Sequence, residues 1–333
     1  MGGDTILVTG GAGYVGSHVC RKLLERGYRV RVLDSFLYGD KGLSDKRETS
    51  NLELLYGDIC NADDVRNGVK GCRGVIALAA LVGDAACDID PEEAIAVNFR
   101  STKIMIEECK REGVERLVFA SSCSVYGANG TDLVTEDSPL HPVSLYARTR
   151  IMSEELLDAE HDGVDIVNLR LATVCGVSAR MRFDLMVNTI TARAAIDGKV
   201  QIHGPNQWRP HLHVQDAAEA FVRAVDAPRR GVATYNVGNN NQNFTIGEIA
   251  EKVTELLPKT EVEYSDANGD RRSYRVSFDR IREHLGFSPS YSVDDAIREV
   301  LDTLSSGSIS DYKAPVYHNV KYLQANGVRR ATA

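Results

Sequence analysis

The stretch Thr9-Gly10-Gly11-Ala12-Gly13-Tyr14-Val15-Gly16 decides the fold of this 333-residue chain. It directly follows an apolar, β-branched run at residues 5–9 and opens a segment with apolar residues at helical spacing. Gly10 allows a tight turn, Gly13 lets the backbone approach a pyrophosphate, and Gly16 permits close helix–strand packing. The helix N-terminus adds free N–H donors and a positive dipole. The stretch therefore predicts a strand–turn–helix unit that binds a dinucleotide.

An acidic residue at the end of the next predicted strand supports this interpretation. That strand covers residues 29–34 and ends at Asp34, 18 residues after Gly16. A carboxylate there accepts hydrogen bonds from the adenosine ribose and repels a 2′-phosphate, so the pattern favours NAD over NADP. The predicted dinucleotide contacts, which include two later strand ends, are Gly10, Gly13, Tyr14, Val15, Gly16, Asp34, Asp58, Ile59, Leu78, Ala79 and Ala80.

The first two-thirds of the chain alternates short apolar, β-branched runs with amphipathic segments. Nearly continuous apolar strands joined by helices indicate a parallel sheet that is covered on both faces. Six such strands predict an α/β fold, a doubly wound parallel-sheet Rossmann domain. The predicted strands are residues 5–9, 29–34, 52–56, 74–80, 115–122 and 165–172.

The pattern changes after about residue 175, where helical segments are separated by single strands at 200–202 and 234–237. Two segments, which begin at Thr245 and Ser292, look like capping boxes that start helices. We expect a Rossmann domain over 1–175 and a smaller mixed α/β lobe, which binds the substrate, mainly within 176–305. Some segments of the lobe are expected to return to the first domain. Residues 306–333 form a C-terminal tail without clear periodicity.

Composition excludes several classes of protein. The net charge of −8 argues against a nucleic-acid surface as the main partner. No run approaches the ~18 apolar residues that a membrane span needs. The seven cysteines are scattered without a Cys-x-x-Cys pair, which is typical of reduced thiols, so no zinc or other metal site is predicted. With no basic, signal-like start either, we expect a cytoplasmic protein.

A second constellation carries the predicted chemistry. Ser121-Ser122-Cys123-Ser124-Val125-Tyr126-Gly127 follows the fifth strand, and Tyr146 opens the next helix with Arg150 four residues later on the same face. A fixed cation stabilises a phenolate and lowers the tyrosine pKa from ~10, so that the phenol acts as a base. A hydroxyl at the strand end bridges the phenol and the substrate oxygen. On its own, such a Tyr–Arg pair is more often a surface contact.

These motifs, in this order, resemble the extended short-chain dehydrogenase/reductases, specifically the NAD-dependent nucleotide-sugar epimerase/dehydratase family with its UDP-glucose 4-epimerases. The likeness runs from about Thr5 to Ser305. It is carried by TGGAGYVG at 9–16, LAA at 78–80, SSCSVYG at 121–127, the Tyr-x-x-x-basic pair, WRPHLHVQD at 208–216 and DRR at 270–272.

The resemblance implies roles for individual residues. Ser122 and Tyr146 would be catalytic, and Arg150 would lie beside the nicotinamide ribose together with Tyr146. Substrate contacts are expected from Asp84, Ser124, Arg209, Arg271 and Arg272, with Arg209 and one of the last two holding the substrate diphosphate. His211 and His213 are expected to be structural.

This sequence also departs from the family pattern. The usual pair is Tyr-x-x-x-Lys, whereas here Arg150 keeps the charge but is bulkier and cannot give up its proton. Cys175-Gly176 replaces the common Tyr-Gly. Cys123 and Ser124 stand where relatives with 4,6-dehydratase activity carry Asp-Glu. Because some 3,5-epimerase-type relatives use a cysteine near this motif, Cys123 is a further catalytic candidate.

The favoured function is that of an NAD-dependent nucleotide-sugar epimerase, which oxidises the sugar at C4 to a ketone and returns the hydride. A dehydratase or ketoreductase with atypical acid–base groups is an alternative. A second alternative is a non-catalytic protein that binds NAD or a nucleotide sugar. Arg150 raises this alternative because it replaces the lysine of the family's usual pair. Relatives commonly dimerise through helices that correspond to 91–112 and 145–161, so a homodimer is expected.

Overall fold

The computed structural model describes residues 4–46, 49–228, 231–266 and 272–328. Fourteen strands are present in these residues. They are β1 (Thr5–Thr9), β2 (Arg29–Asp34), β3 (Leu52–Tyr56), β4 (Gly74–Ala77), β5 (Arg116–Ser122), β6 (Ala128–Val134), β7 (Asp165–Leu171), β8 (Thr173–Cys175), β9 (Lys199–His203), β10 (Trp208–His213), β11 (Val232–Val237), β12 (Asn243–Thr245), β13 (Glu261–Ser265) and β14 (Ser273–Val276).

The helices of the described residues lie mostly between these strands. They are α1 (Gly16–Glu25), α2 (Ala62–Val69), α3 (Asp84–Cys87), α4 (Pro91–Ile95), α5 (Ser101–Glu112), α6 (Leu145–Glu160), α7 (Met186–Ala192), α8 (Val214–Val225), α9 (Ile246–Leu256), α10 (Asp279–Leu285), α11 (Val293–Ser305) and α12 (Asn319–Asn326). A π-helical turn at Ala96–Arg100 joins α4 to α5. None of the described helices is long and apolar enough to cross a membrane.

A seven-stranded parallel sheet forms the centre, in the order β11-β7-β5-β4-β1-β2-β3. This is the doubly wound order, with its switch point between β1 and β4, and it confirms the predicted fold class. Successive side chains of β1 face opposite ways. Val8 packs with Val19 of α1 and Phe221 of α8, whereas Leu7 packs with helices α2, α5 and α6 on the other face.

The sheet has one strand more than predicted. The predicted strand at 234–237 is β11, which pairs with β7 at the sheet edge and is thus one of the segments that return to the first domain. Helix α8 likewise packs on the sheet beside α1. At β4 the structure ends the strand at Ala77, three residues earlier than predicted, because the chain then turns into the cleft and the Ala79 N–H donates to the Thr9 hydroxyl.

The smaller lobe packs helices α7, α9 and α11 around their own apolar core. It contains the sheet β12-β10-β8 and the pair β13-β9. Both predicted capping boxes are confirmed: the Thr245 hydroxyl accepts from the Glu248 N–H at the start of α9, and Ser292 does the same with Asp295 at the start of α11. Residues of this lobe and residues at the carboxyl ends of the central strands line one cleft.

Candidate active site

A cleft of about 1600 Å³ opens at the carboxyl ends of the central strands. One wall is formed by the glycine turn after β1 and by the residues that follow β2, β4 and β5. The smaller lobe and the C-terminal segment form the other wall. Ligands bind at this edge in doubly wound folds, because loops diverge there at the switch point.

The glycine turn fits a pyrophosphate. Gly10 adopts a φ of +70°, and a Cβ at this residue would lie 2.8 Å from the backbone nitrogen of Ala79. A Cβ on Gly16 would lie 2.1 Å from the carbonyl oxygen of Gly10. The bare backbone at the start of α1 thus leaves space and N–H donors for a phosphate group. Every predicted dinucleotide contact lines the cleft.

Asp34 ties the second strand to this turn. Its Oδ2 accepts from the Ala12 N–H at 3.0 Å, and its Oδ1 accepts from the Phe36 N–H at 2.8 Å. Burial raises the pKa of Asp34, while these two N–H groups oppose the rise. Because each carboxylate oxygen has a second lone pair, both remain able to accept a ribose hydroxyl. The sequence predicted the ribose role but not this bracing of the glycine turn.

Helix α6 brings Tyr146 to the cleft. The helix begins after Ser144, whose hydroxyl accepts from the Ala147 N–H at 3.2 Å and thereby fixes the first turn. Tyr146 and Ser122 both line the cleft, and the Ser122 Oγ accepts from the Ser124 N–H at 3.1 Å. The structure therefore brings the predicted base and the predicted bridging hydroxyl into one cleft.

Arg150 lies buried behind Tyr146. Its guanidinium donates to the carbonyl oxygens of Ala120 at 3.2 Å and Asn98 at 3.1 Å. It also lies 5.3 Å from the ring centre of Phe119 and 5.4 Å from that of Tyr146. Two carbonyls and two aromatic faces hold the planar cation, which is the geometry that suits arginine better than lysine. The departure from the family's lysine thus has its own supporting contacts.

The expected fall in the pKa of Tyr146 is not found in this cleft. Burial raises the pKa of Tyr146 above its ordinary value, and the charge of Arg150 opposes that rise without cancelling it. The predicted direction of the effect of Arg150 was correct, but the desolvation of the phenol outweighs it. The phenolate consequently depends on Arg150 for its remaining stabilisation.

Replacing Arg150 by methionine removes this cation. We expect the acidic limb of the pH dependence of kcat to move to higher pH, because the pKa of Tyr146 loses the lowering effect of Arg150 while burial still raises it. At neutral pH we expect kcat to fall on the order of 10²-fold, within the range of general acid–base catalysis. Steady-state rates measured from neutral to alkaline pH check both results.

Two variants control this experiment. Arg150→Lys keeps the charge, so its acidic limb stays closer to that of the wild type. Arg148→Met removes an exposed arginine from the same helix and leaves the profile unchanged. An unmoved limb in Arg150→Met would contradict the role given to Arg150.

The structure does not bring Cys123 into the cleft. The strand has ended at Ser122, and Cys123 begins a 3₁₀ turn that points its side chain into the core. Its Sγ lies 3.2 Å from the carbonyl oxygen of Arg170, and burial raises the pKa of the thiol far above its ordinary value. A buried neutral thiol does not act as a base or nucleophile. We therefore withdraw Cys123 from the catalytic candidates.

A buried polar network beneath the catalytic loop was missed at the sequence level. Glu154 of α6 forms an ion pair of 2.6 Å with Arg170 of β7, and both side chains are less than a tenth exposed. The Ser121 hydroxyl donates to Glu154, and Arg170 donates to the Tyr126 hydroxyl at 3.0 Å. The network thus fixes the loop that carries Ser122 to the helix that carries Tyr146.

The predicted substrate residues that the structure describes line the cleft on both of its walls. Asp84 and Arg272 form an ion pair of 2.7 Å across it, which leaves the buried Oδ1 of Asp84 without a hydrogen-bond partner in the described residues. Ser124 and Arg209 line the same region. Arg271 lies outside the described residues.

The two histidines of the lobe motif lie outside the cleft lining. Burial lowers the pKa of His211 to about 4, so its ring is neutral. His213 lies 3.0 Å from a Glu299 carboxylate oxygen and stacks on Tyr291. Both fit the structural role expected of them.

Sequence comparison places these features among known proteins. The model of the NAD-dependent epimerase/dehydratase family matches residues 6–238. UDP-glucose 4-epimerase of Bacillus subtilis (strain 168) is 30% identical over an alignment of 340 residues, gaps included. The alignment covers 93% of this chain and 99% of that protein. A dTDP-glucose 4,6-dehydratase of Actinoplanes sp. is 26% identical over 311 residues, which cover 89% and 96%.

Comparison with solved structures agrees with the sequence comparison. The structure of Thermus thermophilus UDP-glucose 4-epimerase in complex with NAD is 28% identical, has a TM-score of 0.78, and is matched over 92% of this chain and 100% of that one. Fold, glycine turn and cleft agree with the family match, which spans well over half of the chain. The chain therefore belongs to the NAD-dependent epimerase/dehydratase family.

Proposed function

We propose that this protein is an NAD-dependent nucleotide-sugar epimerase that inverts the sugar at C4. One observation carries the choice of reaction. Tyr146 and Ser122 face the cleft, but the two positions that follow Ser122 hold a buried thiol and a hydroxyl instead of an acid–base pair. A C4-epimerase needs no acid–base pair beyond its tyrosine, because the same phenol removes and returns the hydroxyl proton.

In the proposed reaction, residues of the chain move the proton of the sugar C4 hydroxyl and orient its oxygen. The Tyr146 phenolate accepts the proton of the sugar C4 hydroxyl, and the Ser122 hydroxyl orients that oxygen. Bound NAD would supply the hydride acceptor and donor for C4. Between oxidation and reduction at C4 the 4-keto sugar turns in the cleft and presents its other face. Tyr146 then returns the proton to the same C4 oxygen, now on a carbon of inverted configuration.

Residues on both walls of the cleft supply the substrate contacts. Arg209 and Arg272 present guanidiniums that match a diphosphate, since a planar fork binds two phosphate oxygens at once. The Oδ1 of Asp84, which has no hydrogen-bond partner among the residues that the structure describes, is placed to accept a hydrogen bond from a sugar hydroxyl. The 2.7 Å pair between Asp84 and Arg272 aligns the two groups before the substrate arrives.

Asp84 also favours one alternative. It is a carboxylate in the cleft, and an acid–base group at this place would permit elimination of water after C4 oxidation. The similarity to the dTDP-glucose 4,6-dehydratase points the same way. A dehydratase with this atypical group is therefore the second candidate function.

The test is mass spectrometry of the purified chain with NAD⁺ and a panel of nucleotide sugars. We expect a product of unchanged mass and new chromatographic retention. A product lighter by one water would identify a dehydratase instead. Dinucleotide binding without turnover of any sugar would contradict both enzymes and favour the binding protein.

We also propose a homodimer built on α5 and α6, as in relatives that pair these helices. Met152 on α6 is 38% exposed, and Ile104 on α5 and Leu156 on α6 are partly exposed. These apolar groups suit a helix–helix interface. Light scattering at micromolar concentration should give twice the mass of the chain, and a monomeric mass would contradict the proposal.

A further inference from the structure

Arg180 is a buried cation in the cleft that the motifs did not reveal. It is 7% exposed and lies in the loop between β8 and α7. Its guanidinium stacks 3.9 Å from the ring centre of Tyr38, which follows β2. Its Nε is buried and has no hydrogen-bond partner in the described residues. A buried guanidinium with an unused donor is costly unless a ligand completes its contacts.

The loop that carries Arg180 is fastened to the glycine turn. The Tyr14 hydroxyl donates to the carbonyl oxygen of Gly176 at 2.6 Å, and the Ser178 hydroxyl donates to the carbonyl oxygen of Tyr14 at 2.8 Å. Ser178 and Ser17 hydroxyls lie 3.2 Å apart. Arg180, two residues beyond Ser178, is therefore fixed relative to the first turn of α1 and lines the same cleft.

The charge of Arg180 is not fully neutralised by its own loop. Asp184 is bound by both arms of Arg182, at 2.9 and 3.0 Å, so two guanidiniums share one carboxylate. Burial and the charge of Arg182 lower the pKa of Arg180 to about 10, which leaves it protonated at neutral pH. The loop thus presents an excess positive charge to the cleft.

The C-terminal segment positions this charge. The Arg180 guanidinium donates to the Asn319 Oδ1 at 2.6 Å, and the Asn319 N–H donates to Asp184 at 2.9 Å. The same helix, α12, is anchored to the Rossmann side, where the Tyr322 hydroxyl donates to the carbonyl oxygen of Leu37 at 2.7 Å. The C-terminal tail, for which the sequence shows no periodicity, therefore crosses the cleft at α12 and orients Arg180. We call α12 (Asn319–Asn326) the strap.

We propose that Arg180, held by Asn319, binds the pyrophosphate of the dinucleotide from the side opposite the glycine turn. The inference rests on the proposed use of NAD. Guanidinium and helix N-terminus would then grip the pyrophosphate from two sides, and the strap would have to stay closed while the dinucleotide is retained. This adds a lobe residue and a tail residue to a cofactor site otherwise built by the Rossmann domain.

The nucleotide sugar also carries a pyrophosphate, but the surroundings of Arg180 favour the dinucleotide. Tyr38 follows the strand that ends in Asp34, and the charge of Arg180 is one of the influences that oppose the rise in the pKa of Asp34. Asp34 marks the adenosine half of the cleft. The guanidiniums of Arg209 and Arg272 lie instead with Tyr274 on the lobe side.

The test compares two ligands on the full-length chain, with NADH followed by fluorescence and UDP by calorimetry. We expect Arg180→Gln to raise the Kd for NADH about 10- to 100-fold, the value of a charge-assisted hydrogen bond to phosphate, and to leave the Kd for UDP within about twofold. Arg209→Gln should raise the Kd for UDP and leave the Kd for NADH within about twofold. Asn319→Asp, which turns a neutral partner of Arg180 into an anion, should weaken NADH binding in the same direction.

Arg180→Lys keeps a charge at this place and should bind NADH between the wild type and Arg180→Gln. Unchanged UDP binding shows that the Arg180 and Asn319 variants are folded, and unchanged NADH binding shows the same for Arg209→Gln. Normal NADH binding by Arg180→Gln would overturn the inference, and weakened UDP binding in its place would assign Arg180 to the substrate. A wild-type chain that does not bind NADH would overturn the proposed function itself.

Discussion

Replacing Tyr146 by phenylalanine should lower kcat by about 10³-fold, the middle of the range for a general base. The phenol is the group in the cleft placed to move the proton of the sugar hydroxyl, and phenylalanine keeps the ring that packs against Arg150. The affinity for NADH should remain within about twofold of the wild type, because the glycine turn and Asp34 are untouched. Turnover and NADH titration measure the two effects separately.

Tyr264→Phe is the matched control. This tyrosine lies on β13, is 53% exposed and does not line the cleft. Its loss should change neither turnover nor binding. A Tyr146→Phe enzyme that kept more than about a tenth of the wild-type kcat would show that another group removes the proton.

Replacing Glu154 by glutamine should lower the free energy of unfolding by about 3–5 kcal/mol, because it leaves the charge of Arg170 buried without its counter-ion. Both partners of this pair are less than a tenth exposed, so water cannot take the place of the lost carboxylate. The variant should also lose activity, since Glu154 joins the catalytic loop to α6 through Ser121. Denaturant titration gives the stability change.

Glu160→Gln provides the comparison on the same helix. Glu160 pairs with Lys110 at 3.0 Å, but its side chain is 51% exposed. An exposed pair contributes within about 1 kcal/mol. Equal losses in the two variants would contradict the importance given to the buried network.

The parts of the fold that depend on local pattern could be predicted from the sequence. The glycine turn, Asp34 and the two capping boxes are each set by residues close together in the chain, and their positions agree with the prediction. Some segments after residue 175 were expected to return to the Rossmann domain, but the sequence did not identify β11 as one of them, because its partner, β7, lies more than 60 residues earlier. A strand of this composition fits the edge of either sheet, so only the tertiary pairing decides between them.

In the candidate site, too, residues in local motifs could be predicted and contacts between distant residues could not. Tyr146 and Ser122 could be found by motif. Cys123 was a wrong candidate because it rested on the resemblance to relatives with a cysteine near this motif, and the side-chain direction in the 3₁₀ turn after Ser122 cannot be read from a motif. Arg180 and Asn319 are 139 residues apart, and their contact depends on a loop and a tail without periodicity. Polar contacts of this kind are specific in three dimensions but leave no spacing in the sequence.

The central claim is that the C4 hydride leaves the sugar and returns to the same carbon. The most direct test is the fate of a deuterium at C4 of the nucleotide sugar that the panel identifies, with the reaction run in ordinary water. We expect a product with the same mass as the deuterated substrate, which keeps deuterium at C4 and has the inverted configuration there. Deuterium found at C6 of a product that has lost water, or on released NADH, would contradict it.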